Sequence, residues 1–148
     1  MGGNSAVQGE AMQGLTSIGG VPIQREHLAR CHCGAVVLRL HLPDGVCSPR
    51  RCDCSLCRRK GAIVGSVKLA DLTVIEGEDA LRLYQFNTHV AKHWFCGTCG
   101  IYPHHQRRSS PDEYGYNLGC LDGINPYALG EVPVNDGVNH PADRAPAQ

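Results

Sequence analysis

Aromatic residues are scarce: two Phe, one Trp and five Tyr supply 5% of 148 residues. A small core poor in large rings has little stability in reserve, and a bound metal is a common supplement. An excess of charge of either sign is missing as well, since 14 basic and 14 acidic residues leave a formal net charge of zero. That balance excludes the basic field with which proteins hold nucleic acid or an anionic membrane surface. No apolar run approaches the ~18 residues a membrane span requires. The opening stretch, Met1-Gly2-Gly3-Asn4-Ser5-Ala6, has no basic segment leading into an apolar one, so no secretory signal is read. Ala6 also stands where a myristoylation signal requires Ser or Thr. A cytoplasmic location is expected.

What the chain has instead is cysteine. Nine are present, an odd number that argues against a pure disulfide framework. Closely spaced cysteines in a reducing compartment read as metal ligands before they read as disulfides.

The length suits one domain. Residues 1–24, rich in Gly, Ser, Gln and Ala, read as a flexible N-terminal tail, and 25–148 as a single domain. From Ala35 to Leu42 the pattern alternates, with Val36, Leu38, Leu40 and Leu42 on one face and Val37, Arg39 and His41 on the other: a half-buried strand. Further strands are expected over 62–69, 72–75, 81–86, 90–95, 101–106 and 114–118, separated by turns. One helical turn is expected after Cys57, stopped by Gly61. Residues from Asn125 onward read mostly as loop. Short strands with frequent turns predict a mainly β domain with few short helices.

Three cysteine motifs carry the chemistry. Cys96-Gly97-Thr98-Cys99-Gly100 is a knuckle whose glycines let both sulfurs fold to one side. It needs a second pair to complete a tetrahedral site, and Cys31-His32-Cys33-Gly34 is the candidate. Alternate residues of a straight strand lie ~7 Å apart, whereas sulfurs sharing a zinc lie roughly 3.8 Å apart. The backbone must therefore bend at Cys31–Cys33. Cys52, Cys54 and Cys57 form the other set: a zinc with three protein ligands keeps one position for water or substrate. Cys47 or Cys120 would make it a closed, structural site, and both are also readable as small core residues. Arg50, Arg51, Arg58, Arg59 and Lys60 flank this set; they either favour thiolates and attract an anionic substrate or form a solvated face. Asp53 reads as a turn residue rather than a base. His41, His89, His93, His104 and His105 read as structural or exposed, and Trp94 and Phe95 as core.

Taken in this order, Cys31-His32-Cys33-Gly34-Ala35, Arg51-Cys52-Asp53-Cys54-Ser55-Leu56-Cys57-Arg58 and Phe95-Cys96-Gly97-Thr98-Cys99-Gly100 resemble the glutathione-dependent formaldehyde-activating enzyme family, also called the centromere protein V family. Asn117-Leu118-Gly119-Cys120-Leu121-Asp122-Gly123 is similar to it too, and the likeness spans about residues 26–141. The resemblance implies a β-rich, Mss4-like zinc fold of short antiparallel strands. It implies two zincs per chain, a structural one on Cys31, Cys33, Cys96 and Cys99 and a catalytic one on Cys52, Cys54 and Cys57. It further implies a carbon–sulfur lyase that joins a thiol, glutathione or similar, to a small aldehyde such as formaldehyde. The alternative is a non-enzymatic zinc-binding module for a protein or a small thiol.

Overall fold

The computed structural model describes residues 14–139. In chain order its elements are β1 (Ser17–Ile18), β2 (Val21–Pro22), β3 (Glu26–Arg30), β4 (Val37–His41), β5 (Arg51–Cys52), helix α1 (Cys57–Lys60), β6 (Val64–Lys68), β7 (Leu72–Glu76), β8 (Leu81–Tyr84), β9 (Lys92–Cys96), β10 (His104–Gln106), β11 (Glu113–Asn117) and β12 (Val134–Asn135). The expected mainly β class, with short strands and one short helix, is what the chain adopts.

β4 is central to a three-stranded antiparallel sheet, β3-β4-β7. Its sequence explains its place. Leu38 and Leu40, with Val36 and Leu42 at its ends, face inward and are almost fully buried, while Arg39 points out. On the solvent face Glu26 of β3 pairs with both Arg39 and His41. Truncating Leu38 or Leu40 to Ala would remove buried methyl groups and leave a cavity, at a cost of about 2–5 kcal/mol.

The second sheet has five antiparallel strands in the order β6-β11-β10-β9-β8. Tyr116 of β11 and Leu118 just beyond it are fully buried and join the same core cluster as β4. Single bridges join β3, at Ala29, to Leu121 beyond β11, and Arg50, just before β5, to Val64 of β6.

Two short pairings depart from expectation. β1 and β2 form a hairpin inside the stretch read as tail, with Ile18 buried and Leu15 bridged to Val46. Its turn, Gly19-Gly20, has positive φ at both residues (59° and 81°), the geometry that two-residue hairpins need and that glycine supplies. Residues 1–13 of the expected tail lie outside the described residues. In the region read as loop, β12 pairs with β5, in parallel. The same region carries one 3₁₀ turn, Pro126–Leu129.

Candidate functional site

At the end of β3 the chain bends between Cys31 and Cys33. Gly34 takes φ 82° there, and its N–H reaches the Cys31 carbonyl at 3.1 Å. The bend brings Cys31 Sγ within 3.6 Å of Cys33 Sγ, and Cys33 Sγ within 3.7 Å of Cys96 Sγ at the end of β9. Cys99 completes a set whose sulfurs all lie within 4.8 Å of one another. These are the separations expected for thiolates sharing one zinc, roughly 3.8 Å. Backbone N–H groups point at the sulfurs: Val36 at Cys31 (3.3 Å) and Thr98 at Cys96 (3.4 Å). Such donors favour the thiolate. The N–H of Ile101, followed by that of Cys33, holds Cys99 down to about 6. The set fits a closed site that joins the first sheet to the second.

The three-cysteine set is built from the end of β5 and the start of α1. Cys52 leaves β5, the chain turns, and the Cys57 N–H donates to Cys54 Sγ at 3.3 Å. Gly61, left-handed at φ 68°, ends the helix after one turn, as its sequence predicts. The sulfurs of Cys52, Cys54 and Cys57 again lie within 4.8 Å of one another, and all three residues are half-buried. Cys52 is lowered to about 5 by the hydrogen bond from Cys57, whose own thiol that bond pushes up. Neither Cys47 nor Cys120 joins the set among the described residues. Cys120 Sγ faces the Tyr102 carbonyl at 3.8 Å and burial pushes its thiol up to about 12, while Cys47 Sγ faces the Gly45 carbonyl at 3.9 Å. A metal held by this set would have three protein sulfurs.

The β12 segment backs these cysteines. Arg51 N–H donates to the Pro133 carbonyl (2.9 Å), Asp53 N–H to the Asn135 carbonyl (3.2 Å), and Gly137 N–H to Asp53 Oδ1 (2.8 Å). Asp53 thus uses its carboxylate to tie a distant segment down. Gly137 lies so close that a Cβ there would fall 2.5 Å from Cys54 Cβ and 2.6 Å from Cys52 Sγ.

The basic flank divides. Arg51 and Arg59 donate to backbone carbonyls of Gly61 (2.9 Å) and Ser55 (2.7 Å), and Arg50, buried, donates to that of Ser48 (2.9 Å). Arg58 is exposed. Lys60 turns inward, where Cys52, Cys54 and Cys57 form one wall of a cavity of about 500 Å³.

Another part of the lining is set by strand register. β9 and β10 align His93 with His105, so both rings face the cavity, while Trp94 and His104 stack on the other face at 4.8 Å. The two cavity rings stack at 5.1 Å. Gly115 on β11 faces His105, and a Cβ there would fall 2.4 Å from the ring, so only glycine leaves it room. Lys60 Nζ donates to His93 Nδ1 at 2.8 Å and lies 3.5 Å from the centre of the Tyr102 ring. Tyr102 OH and His105 Nδ1 share a hydrogen bond at 2.5 Å. Burial, then the Lys60 charge, lowers His93 to about 3 and His105 well below its usual range. Burial raises the Tyr102 phenol. Both imidazoles are thus neutral and the phenol protonated at neutral pH. Burial also lowers Lys60, to about 8, with the three cysteines opposing that shift, so it is still mainly a cation.

All seven cysteines read as ligands fall into the two sets expected from their spacing. Sequence reasoning read Lys60 only as part of the basic flank and missed its meeting with His93, Tyr102 and His105. Its signal, histidines at facing positions of neighbouring strands, exists only once the strands are paired. Phe95, read as core, is 36% exposed, and Trp94 is half-buried. Among the described residues no helix is long and apolar enough to cross a membrane.

Residues 26–131 match the family described as glutathione-dependent formaldehyde-activating enzyme. A solved structure, the crystal structure of a Rhodobacter sphaeroides protein, is 57% identical, with a TM-score of 0.71; the match covers 73% of this chain and 99% of that one.

Proposed function

The chain belongs to the glutathione-dependent formaldehyde-activating enzyme family, and from that premise we propose that it is a zinc-dependent carbon–sulfur lyase. It interconverts a thiol plus a small aldehyde with the hydroxymethyl thioether; glutathione and formaldehyde are the substrates the family implies. Cys31, Cys33, Cys96 and Cys99 hold a structural zinc, and Cys52, Cys54 and Cys57 a catalytic one. When bound there, zinc supplies a place for the thiol to lose its proton and become a nucleophile at neutral pH.

One observation carries the reading: three sulfurs, with no fourth protein sulfur beside them among the described residues, border a cavity of about 500 Å³ that Lys60 also lines. A staple has no need of a cavity at its metal, so the arrangement favours an enzyme over a zinc-binding module.

The chain's own residues divide the work. Asp53 and Gly137 hold the cysteine loop in register with β12. Tyr102 and His105 fix each other's orientation. Neutral His93 accepts from Lys60 and orients it. Both carboxylates that line the cavity hold the β12 segment: Asp53 accepts from the Gly137 N–H, and Asp136 from Val138 and Asn139.

The test is exchange spectroscopy on glutathione and its formaldehyde adduct. The wild-type protein accelerates the interconversion above the uncatalysed rate. Cys54→Ser stays folded, keeps the four-cysteine metal, and loses the acceleration, because a hydroxyl is a much poorer zinc ligand than a thiolate. A wild type with no effect on the exchange, and a Cys54→Ser protein that melts far below it, would establish the module instead.

A further inference from the structure

The lyase reading leaves one group without a role, a lysine pointed into the cavity whose charge faces the cysteine set and no carboxylate. Among the described residues no carboxylate lies within ion-pair distance of Lys60. The three sulfurs offset part of what burial costs the ammonium. An ammonium has three N–H donors. One goes to His93 Nδ1 at 2.8 Å, and the Tyr102 ring sits 3.5 Å from the nitrogen. Those two contacts fix the nitrogen in place. Of the other cations lining the cavity, Arg50 donates to a backbone carbonyl and Arg107 holds Glu113 at 2.6 Å, while Arg58 is exposed. Lys60 and the three sulfurs line the same cavity.

Resting on the proposed lyase reaction, we propose that Lys60 binds the aldehyde oxygen, donating a hydrogen bond as the carbonyl becomes an alkoxide. In the synthetic direction the thiol first gives its proton to solvent. The sulfur electron pair then forms the C–S bond, and the C=O π pair moves onto oxygen. That oxygen develops negative charge within reach of the Lys60 ammonium, and a solvent proton completes the hydroxymethyl group. Lys60 keeps its protons throughout. The reverse reaction runs through the same contacts as the C–S bond breaks. A fixed donor aimed at developing charge lowers the barrier without reorganising when the bond forms. His93 and Tyr102 are then positioning residues for it.

The experiment compares wild type with Lys60→Met and Lys60→Arg by four measurements: zinc per chain, glutathione affinity by calorimetry, the thermal melt, and exchange turnover at saturating glutathione. The expectation for Lys60→Met is two zincs, unchanged glutathione affinity and an intact fold. Its kcat falls by about 10²–10³, the typical loss for one oxyanion donor. Lys60→Arg recovers part of that loss. Turnover equal to wild type would overturn the proposal while leaving the lyase reading standing. Loss of zinc from the three-cysteine set would overturn it in favour of a charge partner for the thiolates. A fall in glutathione affinity with kcat unchanged would make Lys60 a contact for the thiol substrate instead. A wild type without turnover would sink the lyase reading and this inference with it.

Discussion

Gly137→Ala gives the sharpest test of how the three-cysteine set is held. An added Cβ would sit 2.5 Å from Cys54 Cβ, 2.6 Å from Cys52 Sγ and 2.8 Å from Cys54 N. Each is below any tolerable contact. The neighbours are a backbone nitrogen and two short side chains, so none can swing aside. The segment at Gly137 must lift away. Lifting it breaks the 2.8 Å bond from Gly137 N–H to Asp53 Oδ1 and strains the β5–β12 pairing, including Asp53 N–H to the Asn135 carbonyl at 3.2 Å. A hydrogen bond to a charged acceptor contributes about 1.5–3 kcal/mol. Loss of a group that orients metal ligands costs about 10–100-fold in metal affinity, which is roughly 1.4–2.7 kcal/mol. The two figures agree. The assay is zinc release against a graded chelator, followed by absorbance, with a thermal melt alongside. Gly137→Ala should release one zinc at a chelator strength about 10–100-fold lower than wild type. The second zinc should be unaffected, because Gly137 touches nothing of the four-cysteine set. Coincident release curves for the two proteins would refute the reasoning, and so would early loss of both zincs.

Cys96→Ala should unfold or aggregate the domain, because the buried Cys96 joins β9 to the Cys31–Cys33 bend and structural zinc energy is folding energy; a melt superimposable on wild type would remove that role. Stability should also fall with pH. Burial holds His93 at about 3 and His104 at about 4, against an ordinary 6.5 for the imidazole in the unfolded chain. Below 6.5 the unfolded chain binds protons that the folded one does not, so this stability is complete above that pH and is lost toward pH 4, at about 1.4 kcal/mol per pH unit for each histidine. His104 stacks on Trp94, away from the cysteines, so His104→Gln should flatten the slope by one histidine's share in urea titrations between pH 7 and 5; an unchanged slope would contradict the assignment.

How far the sequence could be read follows from the range of each signal. The cysteine sets were legible because ligand spacing is local and a tetrahedral metal is strict about its partners. β4 was legible from Leu38 to Leu42, because one buried face imposes alternation, but Val37, read on the outer face, is buried where the register shifts beside Leu38. The turn of helix at Cys57–Lys60 was legible because Gly61 marks its end. The hairpin at Ser17–Pro22 was obscured by its composition, although Gly19-Gly20 between Ile18 and Val21 was a usable turn signal. The β12 pairing was not legible, since two residues carry no pattern and their partner lies far back along the chain at Arg51 and Cys52. The role of Asp53 depends on that pairing and was hidden with it. His93, His105 and Tyr102 looked unremarkable because their meeting is a matter of register between β9 and β10 and of the space Gly115 leaves. Long-range register is what short strands specify least in sequence.

Zinc K-edge X-ray absorption on the metal-replete protein, with total zinc counted in the same sample, addresses the central claim directly. One site with four sulfurs and one with three predict two zincs per chain and an average of about 3.5 sulfur neighbours per zinc. Added glutathione should raise that average toward about 4, and Cys54→Ser should abolish the rise. A resting average of four that glutathione does not change, or a single zinc per chain, would contradict the account.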